Sequence, residues 1–262
     1  MIKIKVGLIG TGTIAEYLLK EINQEANYPV EIVVGLVRNK KKYIHLEDKY
    51  NIEITEDINR LLEDDVDLIV EAATVSSVKR YLPKVIKRKD AVIISVGAFS
   101  DETFLKNIYT IARENNHAIY LPSGAIGGLD LIQNAEATSG LKSVKITTRK
   151  PANVFGEEDL SKEKVVFSGS ANRAIEKFPK NINVAILLSL AGIGPTKTSV
   201  EIIASPFITE NEHTIEVTGE FGEMKTIIKN KPMPENENTS YLAALSVLGT
   251  ILRKTSQIKI GI

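Results

Sequence analysis

Three histidines, no cysteine and one glycine-spaced turn limit the chemistry open to this chain. Imidazole is the side chain best suited to moving protons near neutral pH. His45 sits in the polar stretch KKYIHLEDKY and His117 just ahead of an apolar run in ENNHAIY, and both read as surface residues. His213 opens HTIEVTGEF, an alternating segment late in the chain, and is the catalytic candidate. Without cysteine there is no thioester route, no thiolate metal site and no disulfide. The histidines are scattered and no carboxylate cluster shows ligand spacing, so no metal is expected.

Gly10, Gly12 and Ala15 form G-x-G-x-x-A between an apolar run and a segment of helical spacing. That is the context a dinucleotide pyrophosphate needs: a tight turn, a backbone it can approach, and close packing of strand and helix. Thr13 and Ile14 then open the helix whose N-terminus faces the anion. The run after the second strand is Arg38, Asn39, Lys40, Lys41 and Lys42, where an NAD-specific enzyme places an acid. Cations there suit a ribose 2′-phosphate, so NADPH is expected to be accepted at least as well as NADH. A solvated basic turn is the competing reading. Small-residue turns after later strands, Ala72, Ala73 and Thr74, then Gly97 and Ala98, then Ser123, Gly124 and Ala125, outline one crevice. For substrate anchoring the chain offers Arg149 and Lys150, Asn181 and Asn183 at the start of an apolar helix, and Thr239 and Ser240 before the last helix. Helix capping competes with binding at all four of those amides and hydroxyls.

The elements that must hold these residues follow from periodicity. IKVGLI, EIVVGLV, DLIVEAA, AVIISVGA and HAIYLPSG read as strands, alternating with helices at TIAEYLLKEINQ, INRLLEDD, SVKRYLPKVIKRK and TFLKNIYTIARENN. Apolar strands in such alternation predict a Rossmann-type, doubly wound parallel sheet over residues 1–122. After LPSGAIGGLD the pattern changes to alternating strands, SVKITTR, KVVFSG, SVEIIAS, HTIEVTGEF and MKTIIKN, broken by helices at SANRAIEKF and NINVAILLSLAG. These predict an α+β catalytic domain of mainly antiparallel strands over 123–238, then a Pro- and Asn-rich loop, KPMPENENT. A helix over 239–254 is expected to pack back on the first domain. The 262 residues are 43% hydrophobic and 25% charged, with 33 basic and 33 acidic side chains. Zero net charge gives no field for nucleic acid, and no run nears the roughly 18 apolar residues of a membrane span. The chain reads as cytoplasmic.

The segments LPSGAIGGLD, TTRKP, FSGSANRAIEKFPKNINVAILLSLAG, EHTIEVTGEFG and NTSYLAALSVLG, with GLIGTGTIA and EAAT near the N-terminus, resemble the L-aspartate dehydrogenase family. The resemblance implies NAD- or NADP-dependent oxidative deamination of L-aspartate, through iminoaspartate, to oxaloacetate and ammonia. It puts the family's active-site histidine on His213, its cofactor-contacting alanine on Ala125 and its cofactor-contacting asparagine on Asn183. It also implies a homodimer and a role in supplying iminoaspartate for NAD synthesis. Dihydrodipicolinate-reductase-like imine reductases share the outline, but they carry paired histidines, which are absent here. A non-catalytic dinucleotide sensor would leave His213 without a role.

Overall fold

The computed structural model describes residues 3–25, 27–157, 159–178 and 182–260. The chain forms two units, Met1–Pro122 with Ala244–Lys259, and Ser123–Ala243.

The first unit holds a six-stranded parallel sheet in the order β3-β2-β1-β4-β5-β6. Its strands are β1 (Ile4–Ile9), β2 (Val30–Leu36), β3 (Glu53–Thr55), β4 (Leu68–Glu71), β5 (Asp90–Ile93) and β6 (Ile119–Tyr120). The helices are α1 (Thr13–Lys20), the short α2 (Lys40–Tyr43) and α3 (His45–Tyr50), α4 (Val75–Val85) and α5 (Glu102–Glu114). Winding reverses between β1 and β4, the switch point at which such sheets place a ligand. Val6, Leu8, Ile32 and Val70 of the sheet, with Leu18 and Leu19 of α1, are fully buried or nearly so. Each such aliphatic side chain contributes roughly 1.5–3 kcal/mol of transfer free energy. The last helix, α9 (Tyr241–Thr255), adds Val247, Leu248 and Ile251 to the same core. Lys254 near its end donates to Asp90 (2.7 Å) and to the Tyr120 hydroxyl (2.9 Å).

Three expected elements are shorter than their sequence pattern suggests. INRLLEDD forms only a 3-10 turn, Ile58–Leu62, because Glu63 is already extended. Arg60 inside that turn is held by Glu53 and Asp65. AVIISVGA is a strand only to Ile93, and Val96–Ser100 coils into a 3-10 turn after Ser95 turns both its N–H and its hydroxyl to Glu71. In HAIYLPSG only Ile119–Tyr120 pair with the sheet.

The second unit is built on a five-stranded sheet in the order β11-β10-β7-β9-β8. Its strands are β7 (Leu141–Pro151), β8 (Lys164–Ser170), β9 (Ser199–Ser205), β10 (Asn211–Gly219) and β11 (Gly222–Asn230). The pairs are antiparallel except β7 with β9. That pair is parallel because the chain between them makes a long crossover through β8 and the helices α7 (Ala171–Lys177) and α8 (Asn183–Ala191). One face buries Val144, Ile146, Val200, Ile202, Ile215 and Val217, and on it packs the helical layer of α8 and α6 (Leu129–Glu136). A Cβ added at Gly192, the end of α8, would meet both Ile132 of α6 and Val144 of β7. The other face carries a charge ladder, with Lys145 to Glu201 at 3.1 Å and Lys225 to Glu216 at 2.9 Å. KPMPENENT, expected as a loop, closes instead into a two-stranded hairpin of β12 (Pro232–Met233) and β13 (Asn236–Ser240).

Candidate active site

In the first unit the site begins where β1 ends. Gly10 has φ +100°, and its N–H bonds the Leu36 carbonyl (3.0 Å). A Cβ there would lie 2.6 Å from the Ala73 Cβ and 2.9 Å from the Ala72 carbonyl oxygen, so glycine is required twice over, by conformation and by space. Gly12 is the N-cap of α1 and is different: the nearest atom to an added Cβ is the Ala72 carbonyl oxygen at 4.0 Å. Space beside its backbone is therefore open. Glu16 N–H makes the first helical bond, to Gly12, which presents the positive end of α1 at this turn. Ala15 is fully buried where the helix meets the sheet. These observations fit a dinucleotide pyrophosphate.

Glu71, which ends β4 and opens the EAAT segment, is not among the site candidates of the sequence, yet it organises this crevice. Its carboxylate accepts from Ala73 N–H (2.8 Å), Ser95 N–H (3.1 Å) and the Ser95 hydroxyl (2.9 Å). Burial pushes its carboxyl above the usual carboxylate range, and the donors oppose that shift. It thereby ties the turn after β4 to the turn after β5. Gly97 and Ala98 lie in the 3-10 turn just beyond, buried, with the Gly97 carbonyl taking the Ser100 hydroxyl. Past β2, Arg38 is exposed, while Lys40 pairs with Glu47 (3.1 Å) and its N–H with Glu56 (2.6 Å). An open recess of about 600 Å³ there is lined by Lys40, Lys41, Ile44, Glu53, Ile54, Thr55 and Glu56.

In the second unit His213 lies on β10 opposite Thr148 of β7, and only 6% of it is exposed. Thr148 Oγ1 and His213 Nδ1 are 2.9 Å apart. Burial, and then the positive charge of Lys150, hold the imidazole down to about 4, so it is neutral near pH 7. Strand alternation puts Lys150 on the same face, diagonal to His213 across β7. Asn230 stands at the matching diagonal on β11, since His213 pairs with Ile228. Asn230 is buried, donates from Nδ2 to the Ala125 carbonyl (3.0 Å) and accepts the Ser240 hydroxyl at Oδ1 (2.8 Å).

The structure thus ties two sequence-predicted residues, Ala125 and Ser240, to Asn230, which shares a sheet face with His213. Ser123 and Gly124 (φ +63°) form the turn leading to Ala125. Thr239 does not cap the last helix: it lies on β13, because the hairpin runs up to the helix, and the Ser240 hydroxyl is turned to Asn230. Asn183 is the exposed first residue of α8, whose N-cap is Ile182 with no side-chain cap bond. Asn181 lies outside the described residues. His117, expected at the surface, is half-buried and bonds Asp90 (3.2 Å), a tether of the first unit. Thr148 and Asn230 escape sequence reasoning as well. Only register identifies them, whereas Glu71 leaves a trace as an acid ending an apolar strand. Among the described residues no group of His, Asp and Glu could hold a metal ion.

Comparison with known proteins agrees with this layout. The family model for the aspartate dehydrogenase C-terminal domain matches residues 130–254, and that for the NAD binding domain of homoserine dehydrogenase matches 10–122. L-aspartate dehydrogenase of Methanosarcina barkeri is 37% identical over 272 residues, 98% of this chain and 99% of the relative. That of Methanococcoides burtonii is 39% identical over 276 residues, with the same coverage. The crystal structure of aspartate dehydrogenase from Thermotoga maritima superposes with a TM-score of 0.80 at 30% identity, covering 98% of this chain and 99% of that one. A myo-inositol dehydrogenase from Lactobacillus casei, at 15% identity and a TM-score of 0.55, shares the fold. The chain belongs to the L-aspartate dehydrogenase family.

Proposed function

We propose that this chain is an NAD(P)-dependent L-aspartate dehydrogenase, interconverting L-aspartate with oxaloacetate and ammonia through iminoaspartate. The observation that carries the reading is His213, a buried neutral imidazole fixed through Nδ1 on the second unit of a chain whose first unit presents a dinucleotide turn. The nicotinamide supplies the acceptor for the hydride that leaves the substrate Cα as the C=N bond forms. In the tautomer whose Nδ1–H donates to the Thr148 hydroxyl, the ring presents the Nε2 lone pair as a base. His213 takes a proton from the water that adds to the iminium carbon and returns it to nitrogen, then takes the carbinolamine hydroxyl proton as the C=O bond forms, the C–N bond breaks and ammonia departs. Burial keeps bulk water off the ring, so only a water held with the substrate is activated.

The glycine turn, with Thr13, Ile14 and Ala15, receives the pyrophosphate, and Ala72 and Ala73, held by Glu71, line the same crevice. Ala125 and Asn183 are assigned to the cofactor on the family pattern, and Thr239 and Ser240 stay assigned to the substrate region. Exposed Arg38 supports NADPH as an accepted cofactor beside NADH. The proposal extends to a cytoplasmic homodimer, without nucleic-acid partners, that supplies iminoaspartate for NAD synthesis. Among the described residues no helix is long and apolar enough to cross a membrane.

The direct test follows NADH and NADPH absorbance with L-aspartate, and with oxaloacetate plus ammonia, against a panel of other amino and keto acids. Turnover confined to aspartate and oxaloacetate is expected. Dinucleotide binding without turnover of either compound would sink the assignment.

A further inference from the structure

Two neighbouring basic residues near the end of β7 have opposite surroundings. Arg149 projects from the charge-ladder face and is tied to Glu163 (3.2 Å) and Glu212 (3.4 Å). Its charge is already used. Lys150 projects from the other face, beside Thr148 and His213, and among the described residues its ammonium makes no ion pair and no hydrogen bond. Burial pulls its ammonium below the ordinary lysine range, with no counter-ion to offset the shift, and its charge reaches the His213 ring.

A half-buried ammonium without a partner costs the fold stability, and packing alone gives no reason to keep it. Such a cost persists where binding needs the charge. Thr148 is engaged with the ring itself, and Asn230, at the diagonal on β11, has both ends of its amide engaged, on Ala125 and on Ser240. Asn230 therefore shapes the site, and the unmatched charge beside the imidazole is that of Lys150.

We propose that Lys150 is the anion anchor of the substrate site, its ammonium receiving one carboxylate of a dicarboxylate substrate at the diagonal position beside His213. The inference rests on the aspartate reading for the identity of the substrate, but the anchor can be tested without turnover. An ammonium is a compact charge with three donors, able to hold a carboxylate without a fixed bidentate geometry. A charge-assisted hydrogen bond of this kind is worth about ten- to a hundredfold in affinity.

The experiment uses the full chain saturated with NADH, titrated calorimetrically with succinate, a dicarboxylate with no amino group to oxidise. Lys150→Met, Lys150→Arg and, as a charge-matched control, Lys142→Met at an exposed position of the same strand are compared with the parent protein. KM values for aspartate and dinucleotide and melting temperatures are measured on the same samples. Lys150→Met is expected to weaken succinate and raise the aspartate KM by about ten- to a hundredfold. Its dinucleotide KM should stay within about twofold and its melting temperature at or above the parent's, because an unpaired buried charge has gone. Lys150→Arg should recover most of the affinity, and Lys142→Met should match the parent. Unchanged succinate binding in Lys150→Met overturns the anchor, as does a parent protein that binds no succinate. A lower melting temperature with equal losses for succinate and dinucleotide also overturns it, marking a structural role. Lys150-dependent succinate binding without aspartate turnover would instead keep the anchor and remove the aspartate dehydrogenase reading.

Discussion

On the proposed reading, the crevice around Gly10 and the sheet face around His213 achieve specificity by opposite means. At Gly10 the recognition elements are main-chain: a left-handed turn, an open backbone at Gly12 and the end of a helix, with the buried Glu71 carboxylate holding two turns together. At His213 they are side chains, an imidazole, a hydroxyl and an ammonium, set at opposed and diagonal positions by strand register. The first region should therefore be sensitive to added atoms and the second to altered functional groups. Binding and chemistry should be separable by mutation.

The largest effect is expected from His213→Ala. Loss of a general acid/base lowers kcat/KM by about a hundredfold or more, while dinucleotide affinity, read by fluorescence titration, stays within about twofold. Equal loss of both would break the distinction between the regions. A related prediction concerns stability. The folded His213 titrates near 4, below its ordinary value of 6.5, so the neutral ring is the form the fold favours. Its contribution is fully present above pH 6.5 and is lost as the pH falls towards 4, a change of about 3 kcal/mol. Urea unfolding of the parent and of His213→Gln from pH 7 to pH 4 should show the parent losing the extra stability. A difference between the two proteins that stays constant with pH would contradict it.

At the glycine turn the two glycines should behave differently from one another. Gly10→Ala forces a Cβ to within 2.6 Å of Ala73 at φ +100° and should cost about 2 kcal/mol in unfolding free energy. Gly12→Ala has room and an ordinary backbone, so stability should change by less than about 1 kcal/mol. Its dinucleotide affinity should still fall, because the methyl group occupies the space the ligand's backbone approach needs. Equal stability losses in the two variants would mean that the Gly10 geometry is not a real constraint.

The same difference explains what can be read in advance. Gly10, Gly12 and Ala15 announce themselves because a main-chain site leaves a mark in residue type and spacing. The parallel sheet shows in its near-continuous apolar strands, β1 and β4. His213 stands out by chemistry and by its place at a strand start. Thr148 and Asn230 do not, since their roles come from which residue lies opposite or diagonal in the sheet, and one chain's pattern does not state its register. Glu71 is hidden differently: the hydrogen bonds that make a buried carboxylate tolerable come from turns 2 and 24 residues away. The 3-10 turn at Val96–Ser100 follows from that bond, and so its sequence reads as a longer strand.

Arg38 gives the smallest expected effect and tests the one side-chain contact the first region would make. Asn39 caps the start of α2, accepting from Lys42 N–H, and Lys40 is paired with Glu47, so two of the five residues of the run serve local structure. Arg38 is exposed and makes no ion pair among the described residues, which leaves its guanidinium available to a 2′-phosphate. Because it is in water, the gain is modest and salt-sensitive. Arg38→Asp should move the NADP-to-NAD ratio of kcat/KM about tenfold towards NAD at low salt, and by less as ionic strength rises. His213→Ala should leave the ratio where it is, since the proposed function assigns cofactor choice and proton transfer to different units. A ratio unmoved by Arg38→Asp would show that the basic turn is only a solvated surface, and that the first region selects its ligand through the main chain alone.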